Sequence, residues 1–189
     1  LYTEPRPVTQ EDLVLFVFQY HPVASAAVFA IQKIKIDKVT AQRYDRLFMR
    51  HWDRWLDGRQ SRLFVLDLEG GVATGSAAVP LTAGIDAEVP SRTWGGNEEY
   101  AVSPDGETLY FTARLRTPSE PWSTNYDIYS EPIGGGTPVN LTADNPAWDT
   151  QPVPSPDGKS LAWRAMRRPG FEADRYRIMI RDLASGETR

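Results

Sequence analysis

A four-residue turn that occurs twice limits what this chain can fold into more than any other feature. Ser103-Pro104-Asp105-Gly106 returns as Ser155-Pro156-Asp157-Gly158, 52 residues later. Proline presets φ, aspartate bonds its own backbone and glycine accepts a positive φ, so each copy is a tight reversal. One copy alone would be an ordinary surface turn. Two copies in register, each followed by a strand-like run and a glycine turn, imply a repeated unit. Other pairs agree. Leu81-Thr82 returns as Leu141-Thr142, 60 residues on. The runs 63–68 and 177–183 both end in Asp-Leu and lead into Gly70-Gly71 and Gly186, and Asp127-Ile128-Tyr129 before Gly134 holds the same place in the middle unit.

Each unit reads as four short strands. In the middle unit they are predicted over 99–103, 108–113, 127–131 and 138–141, with half-buried alternation at Leu109 and Phe111 and at Ile128 and Ser130. Four-stranded units repeating every ~40–50 residues are the pattern of propeller blades. The predicted fold is all-β: a partial β-propeller of about three four-stranded antiparallel blades, at about 1–84, 85–146 and 147–189. In the first blade 13–18 matches the second strand, but Thr9-Gln10-Glu11-Asp12 stands where the turn tetrad belongs. Three blades cannot close a ring of ~4–8. The expectation is one part of a longer propeller, with open edges that leave room for an oligomer. Leu1, without an initiator Met or a basic leader, reads as an internal start.

Composition removes several function classes. A net charge of -4 argues against a nucleic-acid partner, which needs an excess of Lys and Arg on one face. The apolar runs 13–18 and 23–31 are shorter than the roughly 20 residues that span a bilayer, so no membrane partner is expected. There are no cysteines, hence no disulfide or thiolate site, and Asp105, Asp144, Asp149 and Asp157 form no calcium-loop spacing. No metal or cofactor is expected. The lack of cysteine is compatible with more than one compartment.

In each blade the longest segment falls between the second and third strands, at 19–62, 114–126 and 165–176. Successive turns of an up-and-down sheet alternate ends, so the three insertions are expected on one face, where binding residues concentrate. Within the first, Tyr44, Leu47, Phe48 and Trp52 have helical spacing and predict a helical insertion over 44–55.

The tetrad and the Leu-Thr pairs resemble the repeats of TolB-like proteins and of prolyl oligopeptidase-family serine peptidases. Three stretches, 44–55, 121–129 and 164–175, look like the propeller of bacterial dipeptidyl and acylaminoacyl peptidases of that family. The resemblance implies a Ser-Asp-His triad on an α/β-hydrolase domain C-terminal to the propeller. No Gly-x-Ser-x-Gly elbow occurs here, so no catalytic residue is expected in this chain. The implied role is to wall off the active site and to select short peptide substrates, with that hydrolase domain as the intramolecular partner. The other reading is a non-enzymatic TolB-like propeller that binds a protein.

Candidate substrate-binding residues follow from the insertions. Arg50, His51, Trp52 and Trp55 either belong to a helix packed on the propeller rim or face the cavity between domains. Glu98 and Glu99 could hold the free α-ammonium that a dipeptidyl peptidase recognises. Adjacent strand residues point to opposite faces, so at most one of them can do so. Glu172 and Arg175, with Asp174, either touch substrate or tie down the loop around Pro169-Gly170-Phe171.

Overall fold

The structure is a computed structural model and describes residues 13–15, 25–33, 49–55, 59–69, 72–73 and 78–189. Three antiparallel sheets follow one another along the chain, as blades of a partial propeller. The first contains β1 (Leu13–Leu15), β2 (Ser25–Lys33), β5 (Arg59–Glu69), β6 (Val72–Ala73) and β7 (Val79–Pro80), in the order β1-β2-β5, with β6 and β7 both pairing β5. The second is β8 (Tyr100–Val102), β9 (Thr108–Ala113), β10 (Asp127–Pro132) and β11 (Val139–Asn140), each beside its sequence neighbour. The third is β12 (Asp149–Pro154), β13 (Ser160–Ala165) and β14 (Arg177–Asp182), and Thr188 bridges back to Arg181 where a fourth strand would run.

Two details of the first blade differ from the sequence expectation. The second strand is β2, not 13–18; Leu13–Leu15 is the strand outside it. β2 makes nine cross-strand pairs with β5, from Ser25–Asp67 to Lys33–Arg59, against three with β1, so the longer run takes the inner position. The insertion therefore shrinks to 34–58. At its end, where a helix was predicted through Trp55, Arg50–His51 (β3) and Arg54–Trp55 (β4) pair as a hairpin. Its turn places Trp52 at φ 49, and the Arg50 guanidinium donates to the Trp52 carbonyl at 2.9 Å. Trp52 is 73% exposed, so it does not continue an apolar helical face. The rest of that predicted helix, 44–48, lies outside the described residues.

The pleat explains how the sheets stack. Leu109, Phe111 and Ala113 alternate to one face of the second sheet and meet Leu63, Val65 and Leu81 of the first. Tyr110 and Ile128 point the other way, against Leu161, Trp163 and Ala165 of the third. Full burial of one such side chain contributes roughly 1.5–3 kcal/mol. The middle sheet is thus buried on both faces, unlike a half-solvated antiparallel sheet.

The repeat is equally regular in its hydrogen bonds. In the two tetrads, Ser103 and Ser155 Oγ each donate to the aspartate two residues on, and each accepts from the backbone five residues on at 2.9 Å. Gly106 and Gly158, at φ 80 and 68, close each turn onto the serine carbonyl at 2.9 Å. The Leu-Thr pairs match too. Leu81 and Leu141 donate to Leu63 and Ile128 carbonyls at 2.8 Å, and the Thr82 and Thr142 hydroxyls accept from the amides of the same two residues.

The seam between the second and third sheets carries two buried carboxylates. Asp149, 1% exposed, accepts from Trp163 Nε1 at 2.6 Å and from Asn145 Nδ2 at 2.8 Å. Asp127 accepts from the Thr142 hydroxyl at 3.3 Å. Burial pushes Asp149 up to about 7, with the Asp127 charge adding to it and the two donors pulling it back; burial raises Asp127 as well. A carboxyl raised in the folded state holds its proton better there than in the unfolded chain. Its stabilisation is full below the ordinary value near 4 and is lost as pH rises through about 7. The melting temperature is expected to be higher at pH 5 than at pH 8. Asp149→Asn, which keeps an acceptor for Trp163, should remove most of that slope in calorimetric scans across the range. An equally steep slope in the variant would show that Asp149 is not its source.

Candidate functional site on the insertion face

Among the described residues, the connections that follow the second strands of the second and third sheets, 114–126 and 166–176, touch each other through Gly170 and Thr124, and the hairpin Arg50–Trp55 meets the 81–99 segment through Trp52 and Trp94. The segment 81–99 runs between the first and second blades and lines a pocket with 114–126. Arg62 holds its start: one guanidinium nitrogen donates to the carbonyls of Thr82, Ile85 and Ala87 at 3.1, 3.1 and 2.6 Å. Glu131 of β10 accepts from the Thr82 amide at 3.0 Å. The segment is therefore pinned from both neighbouring blades.

A small pocket opens between 81–99 and 114–126. Glu88, Ser91 and Arg92 line one side, and Arg114, Arg116, Glu120 and Tyr126 the other. The charges alternate. Arg116 Nη2 lies 3.2 Å from Glu88 Oε1, Arg92 Nε lies 3.8 Å from the same oxygen, and Arg114 Nη2 lies 3.3 Å from Glu120 Oε1. The side chains of Glu88 and Glu120 are only 10% and 14% exposed. Burial raises both carboxyls from their ordinary range, against the pull of Arg116 and Arg92 on the first and of Arg114 and Arg116 on the second. A carboxylate has about four lone-pair positions, so each retains accepting capacity beyond its guanidinium.

Behind the pocket an aromatic ladder joins the second and third insertions. The Arg114 guanidinium sits 4.9 Å from the centre of Tyr126, Tyr126 stacks on Trp148 at 4.7 Å, and Trp148 meets Tyr176 edge-on at 6.4 Å. Arg164 closes the far end, 4.5 Å from the Tyr176 ring. Cation–π and stacked contacts of this kind are each worth about 0.5–1.5 kcal/mol. The Gly170 amide also donates to the Thr124 hydroxyl at 2.9 Å, so the second and third insertions touch directly.

The residues singled out in sequence fall into three places. Glu99 is buried at the foot of 81–99, where its carboxylate accepts from the Ser91 amide and hydroxyl, both at 2.7 Å. Burial raises its pKa, partly offset by those two bonds. Ser91 and Tyr126 both line the pocket, so by holding Ser91 Glu99 supports the pocket wall. Glu98, beside it in the 3-10 turn Asn97–Glu99, is exposed. Arg50, Trp52 and Trp55 lie on the exposed hairpin, with Arg50 5.6 Å from the Trp55 ring and Trp52 edge-on to Trp94 at 5.4 Å; His51 is in its first strand. Glu172 and Arg175 are exposed on the third insertion. Asp174 is what ties that loop. It accepts from the Arg167 and Arg168 amides, both at 2.9 Å, and from Arg168 Nε at 3.2 Å; these bonds hold its carboxyl down at about 2.

Glu88, Ser91, Arg92, Arg114, Arg116 and Glu120 were not singled out. They lie in irregular segments without repeat or periodicity. Tyr126 alone belongs to a stretch quoted for the resemblance, and the crowding of Arg114, Arg116 and Glu120 in the shorter second insertion was the available signal.

Gly95 tests how tightly this wall is built. A Cβ there would lie 2.5 Å from the Ser91 carbonyl oxygen and 2.6 Å from its amide nitrogen, both backbone atoms that cannot swing aside. Gly95→Ala is expected to displace Ser91 from Glu99 and to cost about 1–3 kcal/mol in denaturant unfolding. Gly134→Ala, where a Cβ meets nothing within 4 Å, should stay within about 0.5 kcal/mol of the parent. Equal effects at the two glycines would contradict this account of the wall.

No family model matches the chain. Among curated proteins it is 34% identical over 153 residues to dipeptidyl-peptidase 5 of Porphyromonas gingivalis, covering 80% of this chain and 22% of that protein. It is 33% identical to dipeptidyl-peptidase 5 of Porphyromonas endodontalis, covering 77% and 21%, and 30% identical to that of Aspergillus fumigatus, covering 79% and 23%. A solved TolB structure from Acinetobacter baumannii overlaps at a TM-score of 0.44 and 19% identity, over 86% of this chain and 29% of that one. The chain spans about a fifth of the length of the curated relatives it matches. Over some four fifths of its own length, this chain is a homologue of one segment of the dipeptidyl-peptidase 5 proteins.

Proposed function

We propose that this chain is propeller sequence of a serine peptidase of the prolyl oligopeptidase family that releases dipeptides from the N-termini of short peptides. The observation that carries the reading is identity of about a third to dipeptidyl-peptidase 5 across some 80% of the chain. On this reading the units 1–84, 85–146 and 147–189 are blades of one propeller domain. The nucleophile and its base sit on an α/β-hydrolase domain supplied by sequence outside this chain, and the propeller acts as wall and filter.

An enzyme that counts residues from a free N-terminus has to hold an α-ammonium. A buried carboxylate does so through a charge-assisted hydrogen bond, worth about 1.5–3 kcal/mol where well formed. Glu88 and Glu120 carry that role here. The Arg114 and Arg116 ion pairs keep both carboxylates oriented in a poorly solvated pocket, at 3.3 and 3.2 Å. Glu99, already satisfied by Ser91, positions the wall. Arg50, His51, Trp52, Trp55, Glu98, Glu172 and Arg175 belong to the rim over which substrate passes.

In the full-length protein a fluorophosphonate should label one serine, and a chromogenic dipeptide amide should be cleaved far faster than its N-acetylated counterpart. Glu120→Gln should lower kcat/KM for the free-amine substrate by about 10–100-fold, mainly through KM, and narrow the gap to the acetylated one. A protein that takes no label, or that cuts acetylated and free peptides equally well, would sink the reading.

A further inference from the structure

The two carboxylates buried in the seam between the second and third sheets take their hydrogen bonds from neutral groups. Asp149 accepts from the Trp163 and Asn145 side chains and Asp127 from the Thr142 hydroxyl. Among the described residues no lysine or arginine forms an ion pair with either. Arg181 on β14 donates to the Leu141 carbonyl instead, at 2.8 Å. Arg177 is level with Asp149 but two strands away, with Ala165 between them. Arg164 precedes Ala165 on β13 and so points to the other face, where its guanidinium lies on Tyr176. Glu99, on the 3-10 turn packed against β12, is held by Ser91, and Asp144 is exposed. Burial raises Tyr110 and Tyr126, so both keep their protons. A buried carboxylate without a cation resists ionising, and a second carboxylate beside it adds to that resistance. The pair therefore retains a proton, and burial pushes Asp149 up to about 7.

From Asp149 the path to the charged pocket is short. Its amide donates to the Tyr126 carbonyl at 2.8 Å, and the preceding residue, Trp148, stacks on the Tyr126 ring at 4.7 Å. The Trp148 indole nitrogen is buried without a hydrogen-bond partner among the described residues, so ring contacts and the backbone alone hold that ring. The backbone there is fixed by the Met166 amide, which donates to the Trp148 carbonyl at 2.8 Å. Tyr126 faces Arg114, which pairs with Glu120. We propose that Asp149 is a positioning residue for the pocket: protonated, it keeps the seam closed and Tyr126 against Arg114, and ionised, it is repelled by Asp127, which loosens the seam and slackens that wall. The sign follows from burial. A carboxyl raised in the folded state favours the closed seam at low pH, and the closed form is lost as pH rises through about 7. The consequence for free-amine peptides rests on the peptidase reading; the coupling of Asp149 to the Tyr126 wall rests on this geometry alone.

Indole nuclear magnetic resonance on the full-length protein, labelled with nitrogen-15 in its tryptophans, separates the two steps. The Trp163 N–H, bonded to Asp149, reports the proton, and the Trp148 N–H reports the wall; each is assigned by Trp→Phe replacement. Both signals should titrate together with a midpoint near 7. Asp149→Asn should abolish both titrations. Asp127→Asn leaves Asp149 in place and removes the charge that raises it, so the shared midpoint should move to lower pH. For function, the Kd of a free dipeptide is measured by calorimetry at pH 6 and pH 8. It should rise about three- to tenfold more in the parent than in Asp149→Asn, which carries the ligand's own amine titration. A protein that neither binds nor cleaves dipeptides leaves the indole titrations readable, so a failure of the peptidase reading is told apart. A Trp163 signal that does not titrate, a Trp148 signal that stays fixed while Trp163 moves, or an unchanged titration in Asp149→Asn would overturn the proposal. So would an equal pH dependence of Kd in parent and variant.

Discussion

The pleat of the middle sheet sends alternate side chains to opposite sides, and in this chain both sides are apolar. Leu109 and Phe111 go to one neighbour; Tyr110 and Ile128 go to the other. Such a sheet cannot be stable beside water on either face, so it fixes the first and third sheets as layers against it. Stacked face to face, the sheets leave only their ends for function. One end of the second and third sheets receives the tight Ser-Pro-Asp-Gly reversals. Toward the other, among the described residues, the 81–99, 114–126 and 166–176 segments assemble the charged pocket and the aromatic ladder.

The repeat made the architecture legible because each of its residues answers a backbone demand. Gly106 and Gly158 are where φ is positive. Ser103 and Ser155 close the same two bonds, and Thr82 and Thr142 cap strand amides at equivalent positions. Strands of the middle blade, predicted over 108–113 and 127–131, occur at Thr108–Ala113 and Asp127–Pro132. Where the repeat decays, legibility decays too. In the first blade an apolar run at 13–18 looked like the inner strand, yet the longer Ser25–Lys33 holds that place because pairing length decides between them. The spacing of aromatic residues into Trp55 suggested a helix, and at 50–55 a hairpin formed instead, since Trp52 points to solvent rather than to a core.

The pocket was illegible for a different reason. Its walls come from 81–99 and 114–126, which share no periodicity, and their positions depend on side chains far away in sequence. Arg62 reaches 25 residues to the Ala87 carbonyl and Glu131 reaches 49 to the Thr82 amide. Glu99 was noticed as half of an acidic pair, but its two bonds to Ser91, eight residues earlier, follow from Gly95 letting the chain pass within contact of itself. A composition or spacing rule has no access to a contact of that kind.

The seam and the site are one mechanical system. Asp149 follows Trp148 in the chain; its carboxylate is fixed by Trp163 in the core while the Trp148 ring stacks on Tyr126 at the pocket wall. Asn145 ties the same carboxylate to the Met166 carbonyl, at the root of the third insertion. The Asp149 amide in turn donates to the Tyr126 carbonyl at 2.8 Å. Loosening the seam would therefore act on Tyr126 twice, through its backbone and through its ring. The Tyr126 ring lies against the guanidinium of Arg114, which is paired with Glu120. The geometry of the pocket carboxylates is thus set by how firmly the second and third blades pack, and a substitution in that core would reach the site without touching it.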